Sequence, residues 1–105
     1  MLSKHPLELP LNKKFSKEEI KDALRLAIIA ELDAVSLYEQ LARAIGDEAV
    51  KKVFEDVAKE EKAHAGEFMA LLKNLDPELI EEMESGAKEV EELTGITAKP
   101  KPKGD

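Results

Sequence analysis

Cysteine and tryptophan are missing from the chain. Without thiols it can form no disulfide, no thiolate zinc or iron site and no thiol redox couple, and a rubredoxin-type iron centre is excluded with them. Long apolar runs are missing too. None approaches the roughly 20 residues of a membrane span. The opening Met1-Leu2-Ser3-Lys4-His5-Pro6 leads into no apolar signal segment, so the cytoplasm is the expected compartment. Positive charge is not in excess: the net charge is −7, which argues against nucleic acid as a partner. Eight acids and the single Lys88 lie between Asp76 and Gly95, so that segment carries the whole imbalance and the remainder is neutral.

What is present is 105 residues rich in Glu, Lys, Leu and Ala with one Tyr and three Phe, the usage of long helices in one small domain. Residues 1–15 hold Pro6 and Pro10 among Leu2, Leu7, Leu9 and Leu11, which disfavours helix and reads as an extended arm on a neighbouring surface or a frayed terminus. A first helix is predicted over about 16–45, opened by a Ser16/Glu19 capping box with Phe15 and Ile20 placed as a hydrophobic staple. Gly46 at the C′ position and Asp47 as cap predict a tight bend into a second, antiparallel helix over about 48–74. Asp76-Pro77 predicts a third helix over about 77–94, weakened or bent at Gly86 and stopped by Gly95. Its stripe of Leu79 or Ile80, Met83, Ala87, Val90 and Leu93 is thin, and its acids read as a solvated face. Residues 96–105, with alternating Lys and Pro, read as a disordered linker or tail.

Both long helices carry an apolar seam with strict 4-3 spacing. The first runs Ile20, Leu24, Ala27, Glu31, Ala34, Tyr38, Leu41, Ile45; the second runs Val50, Phe54, Val57, Glu61, His64, Phe68, Leu71, Leu75. Glu31, Glu61 and His64 break the apolar rule. Glu31 lies 15 residues before Gly46 and Glu61 15 after it, so at about 1.5 Å per residue both sit roughly 22 Å from the bend, side by side. His64 is one turn further on the same face. Buried carboxylates cost several kcal/mol each unless compensated, and a metal is the partner this pattern predicts. Glu facing Glu-x-x-His is half of a di-iron carboxylate site. Two hairpins about a two-fold axis would supply the whole of it. The donors suit iron, with manganese as the alternative, better than structural zinc. Further apolar positions at Leu26, Ile28, Ile29, Leu32, Val35 and Leu37 make the first helix greasy on more than one side and predict a homo-oligomer. Glu60, Glu67 and Glu39 fall off the seam and are expected at the surface.

The stretches Ile29-Ala-Glu31-Leu-Asp33-Ala-Val-Ser-Leu-Tyr38 and Glu60-Glu61-Lys-Ala-His64-Ala65 resemble the encapsulated ferritins, ferritin-like proteins held inside encapsulin shells. The resemblance covers roughly 16–95, including Leu93-Thr94-Gly95-Ile96. It implies an all-α, ferritin-like antiparallel hairpin plus a short third helix, dimerising into a four-helix bundle, with dimers joined in an annular decamer. It implies a ferroxidase with iron ligands Glu31, Glu61 and His64, Glu61 bridging two irons and Tyr38 beside them. A ring encloses little volume, so iron storage would need a surrounding encapsulin shell, separate or fused to this chain. A second Glu that some members carry before the ligand Glu is Ala30 here, which leaves Asp33 as the candidate gateway for incoming metal. No encapsulin-targeting peptide is recognisable in the tail, whose Lys-Pro repeats look like a linker to a shell domain or the mark of a truncation. Two other functions fit the same residues: a di-iron or di-manganese peroxidase or catalase, and a non-enzymatic helical assembly module whose polar seam groups set register.

Overall fold

A computed structural model of the chain describes residues 13–99. The arm expected over 1–15 and the tail expected over 96–105 therefore lie largely outside the described residues. Three helices follow in order: α1 (Lys17–Ala44), α2 (Glu48–Leu75) and α3 (Pro77–Thr94). No strand occurs among the described residues, and none of their helices is long and apolar enough to cross a membrane. Two units divide at Leu75 and Asp76.

The helix ends follow from local chemistry. At the start of α1 the Glu19 backbone N–H donates to Ser16 Oγ (3.2 Å), and the Ser16 N–H donates to Glu19 Oε1 (2.8 Å). This reciprocal cap satisfies two orphan donors. At the other end Ile45 turns extended (φ −87°, ψ 127°), with its N–H still donating to Leu41 O. Gly46 does sit at C′, but it takes no left-handed conformation, so the helix ends through Ile45 and needs no glycine-specific turn. Asp47 Oδ1 then accepts from the N–H groups of Ala49 (3.0 Å) and Val50 (3.1 Å), capping α2.

The first unit is the α1–α2 hairpin. Its buried side chains are Ile28, Val35 and Ala42 from α1 and Ala58, Ala65 and Leu72 from α2, each set spaced by seven. The contact between the helices is therefore not the 4-3 seam read from the sequence, but a stripe beside it. At about 100° per residue, Glu31 lies about 60° round from Ile28, and Glu61 about 60° round from Ala58. Because the helices run antiparallel, both displacements lead to the same flank of the hairpin. Small side chains explain the choice: Ala42, Ala58 and Ala65 let the backbones approach, and Ala58 is only 2% exposed. The seam residues are left half-buried along one open flank, with Ile20, Leu41, Val50 and Leu71 exposed. On the opposite flank Lys62 Nζ pairs with Glu39 Oε2 at 3.0 Å; both are well solvated, so the pair is worth at most about 1 kcal/mol.

The second unit holds α3. Asp76 caps it by accepting from the Leu79 N–H (3.3 Å), with Pro77 in the first turn. The helix continues unbroken through Gly86. Gly95 ends it with φ 76°, a left-handed conformation that glycine adopts without a Cβ clash. None of its residues is buried.

Leu72 is 3% exposed at the hairpin contact, so Leu72→Ala should cost about 2–5 kcal/mol. Urea unfolding in excess chelator checks this; an unchanged midpoint would mean that Leu72 does not hold the helices together.

Candidate metal centre

Glu31 projects from the middle of α1, and Glu61 and His64 from the middle of α2, all toward the open flank. Glu61 and His64 meet because three residues make most of a helical turn. Glu31 reaches them because the short bend fixes the register of the antiparallel pair. One ligand atom from each of the three residues can be chosen so that all lie within 4.8 Å of one another. His64 Nδ1 stands 3.6 Å from Glu31 Oε2 and 3.6 Å from Glu61 Oε2. That is too long for a hydrogen bond. The three groups thus surround a gap rather than satisfy one another.

The gap fits a cation. At about 2.1 Å from each ligand atom, donors on opposite sides of a divalent ion are about 4.2 Å apart, so closing the present spacing takes only small side-chain movements. Glu31 Oε2 carries the strongest sign: it is buried and has no hydrogen-bond partner. Its side chain is only 21% exposed, Glu61 is similar, and His64 stands further out at 46%. A carboxylate oxygen withdrawn from water without a partner is costly. A bound cation would supply the missing interaction. Two carboxylates and one imidazole suit iron or manganese.

The other residues singled out in the sequence fall around this cluster. Tyr38 is half-buried, with its ring against Phe54 (centroids 6.0 Å apart, tilted by 59°). It forms an aromatic layer two turns nearer the bend and does not enter the cluster. Asp33 and Glu60 are exposed and do not belong to the cluster. Glu39 is held by Lys62 on the far flank. Glu67, expected at the surface, is indeed exposed but lines an open cleft together with Glu31 and His64. The spacing Glu61-x-x-His64-x-x-Glu67 was the signal that could have found it.

Two long antiparallel helices, one presenting Glu and the other Glu-x-x-His, form a ferritin-like hairpin with a carboxylate–histidine cluster that could hold a metal ion. The sequence model of the family described as rubrerythrin matches residues 22–101. A ferritin-like–encapsulin shell fusion protein of Pyrococcus furiosus is 60% identical over 98 residues, covering 93% of this chain and 28% of that protein. The encapsulin nanocompartment cargo protein EncC of Myxococcus xanthus is 36% identical over 74 residues, covering 70% of this chain and 57% of its own length. The crystal structure of the encapsulated ferritin domain from Pyrococcus furiosus superposes with a TM-score of 0.83 at 59% identity, covering 93% of this chain and all of that one. The chain belongs to the rubrerythrin family, among its encapsulin-associated ferritin-like proteins. It spans well under two thirds of the length of these two curated relatives.

Glu31→Leu tests the unpartnered oxygen directly. In chelator the variant should be more stable than the native protein by about 1–3 kcal/mol, because a buried group without a partner is removed. With Co(II) at about 1,000 times its dissociation constant the native protein gains about 4.1 kcal/mol and the variant nothing, so the order of the melting temperatures reverses. A native protein that stays the more stable in chelator would show that Glu31 is already satisfied.

Proposed function

We propose that this chain is a ferroxidase that oxidises Fe(II) to Fe(III) at a di-iron centre completed by two copies of the hairpin, and that it serves iron storage inside an encapsulin shell. The observation that carries this reading is the cluster of Glu31, Glu61 and His64 around a cation-sized gap, with Glu31 Oε2 buried and unpartnered.

One hairpin offers three ligand side chains, which leaves two metal ions under-coordinated. A two-fold axis along the open flank would add Glu31, Glu61 and His64 of a second copy, giving the donor set of a di-iron carboxylate site. Apolar residues spread along the same flank support that pairing. Ile20, Leu41, Val50, Val53 and Leu71 are exposed on this flank in the single chain, and a matching hairpin would remove them from water. The names of the Pyrococcus and Myxococcus relatives support the placement in a shell.

Fe(II) is the substrate. Two Fe(II) ions give one electron each to dioxygen, which takes up two protons from solvent to become hydrogen peroxide, and two Fe(III) ions result. The protein's part is electrostatic and positional. Glu31 and Glu61 supply negative charge that favours Fe(III) over Fe(II), and His64 contributes a neutral nitrogen donor. The second copy, laid over the open flank, would exclude bulk water from around them and strengthen both effects.

Fe(II) added aerobically should be oxidised with saturation kinetics by the native protein. Glu31→Ala, Glu61→Ala and His64→Ala should each fall to the protein-free background. Native rates in all three variants would sink the assignment, and turnover of peroxide with Mn(II) but none of dioxygen with Fe(II) would replace it by a peroxidase or catalase. Sedimentation should show Fe(II) or Co(II) promoting dimers or larger rings of the native protein and not of His64→Ala. Assembly that ignores metal in both would remove the shared site.

A further inference from the structure

The flank opposite the cluster differs from it in charge. Counting about 100° per residue from the contact stripe, every Lys and Arg of α1 and α2 falls on that stripe or on the opposite flank, and none on the cluster flank. Glu18, Asp22 and Glu39 are each taken by a cation of the same side: Lys21 at 3.2 Å, Arg25 at 2.9 Å and Lys62 at 3.0 Å. Lys59 and Lys73 pair with no carboxylate among the described residues. The remaining acids of this flank, Glu48 and Glu55, lie nearer the bend. Lys59, Gly66 and Lys73 follow one line along α2, and Gly66 leaves open space where a side chain would stand. Beside that line on α1, Ile29 and Leu32 are 59% and 54% exposed.

α3 has the reverse pattern. Leu79, Met83, Ala87 and Val90 lie within about 40° of one line, and no residue of the helix is buried. Glu82 and Glu89 border this stripe on one edge, Glu84 and Glu91 on the other. We infer that α3 of one copy docks on the basic flank of another, its apolar stripe over Ile29, Leu32 and Gly66 and its bordering carboxylates against Lys59 and Lys73.

Charge excludes the other surfaces. A second α3 would set two strongly acidic segments against each other, and the cluster flank offers Glu31 and Glu61 without a Lys or Arg. A return along α2 of the same chain would need a connection of about 2–5 residues, and Asp76 alone stands between Leu75 and Pro77. Lengths agree as well. Lys59 and Lys73 are about 21 Å apart along α2, and α3 is about 27 Å long. An apolar centre with a charged rim is the usual anatomy of a contact between proteins. Each rim pair adds little affinity, but together they select the partner and its orientation. Every chain then has two separate surfaces for copies of itself, and pairs formed at the cluster are joined into larger assemblies. The contact needs no metal, so it stands or falls apart from the ferroxidase reading.

Sedimentation of the full chain, with and without Co(II), tests the contact. One variant reverses the acids, Glu84→Lys with Glu91→Lys; another reverses the bases, Lys59→Glu with Lys73→Glu. Each alone should sediment at about half the mass of the native assembly or less, because one of two contacts per chain is lost. Mixed in equal amounts they should regain that mass, since each carries the charge that suits the other's surface. Circular dichroism should show native helix content in both. Should a reversed chain lose helix, the neutral pair Glu84→Gln with Glu91→Gln takes its place and should associate more weakly than the native chain; equal association there would overturn the contact. So would reversed chains that assemble like the native one, or that stay apart when mixed. A native chain that forms only pairs with Co(II) and only single chains without it would overturn the contact too.

Discussion

A buried carboxylate oxygen with nothing to bind is the constraint on which the hairpin turns. Glu31 Oε2 is withdrawn from water, 3.6 Å from an imidazole nitrogen that is too far to hydrogen-bond it. Any sequence could relieve that cost by placing Leu or Met there, and the helix pattern calls for an apolar residue. The polar residue makes sense when its energetic penalty in the metal-free chain is offset by a cation. Stability and metal affinity then pull against each other at one position, and the bend geometry matters because it sets how far Glu31 stands from Glu61 and His64.

Much of the architecture was legible in the sequence because it depends on local rules. Ser16 with Glu19, Asp47, Asp76 with Pro77, and Gly95 each mark a helix end, and each makes the interaction its residue type suggests. The register of Glu31 against Glu61 followed from counting residues to Gly46, because helical rise is nearly constant. The seam was harder. Its apolar arc is wider than one helix contact can cover, so periodicity could not tell which edge would meet the other helix of the same chain. Alanine decided the matter. Ala58 and Ala65 rank low in any hydrophobic reading, yet they allow the closest approach, and the intrachain contact settled on their stripe.

Glu67 shows a related limit: it is exposed as expected, but its place beside Glu31 and His64 does not follow from that. A residue at the edge of an apolar arc looks like surface on a helical wheel, and by exposure it is surface. What the wheel lacks is depth. The void left between His64, Phe68 and Leu71 follows from side-chain shapes packed in three dimensions. Sequence spacing identifies ligands because coordination demands fixed distances. It says little about which residues will border them, since an open cleft imposes no residue type on most of its wall.

Among the described residues, the six buried side chains include three alanines, and they hold together two helices of 28 residues each. So slender a nucleus gives a lone copy little resistance to opening. In the two-copy arrangement proposed above, folding and association would merge into a single event whose rate climbs with the number of chains in solution. Copies made side by side during synthesis would meet before they could be degraded, whereas scattered copies would be exposed to proteases.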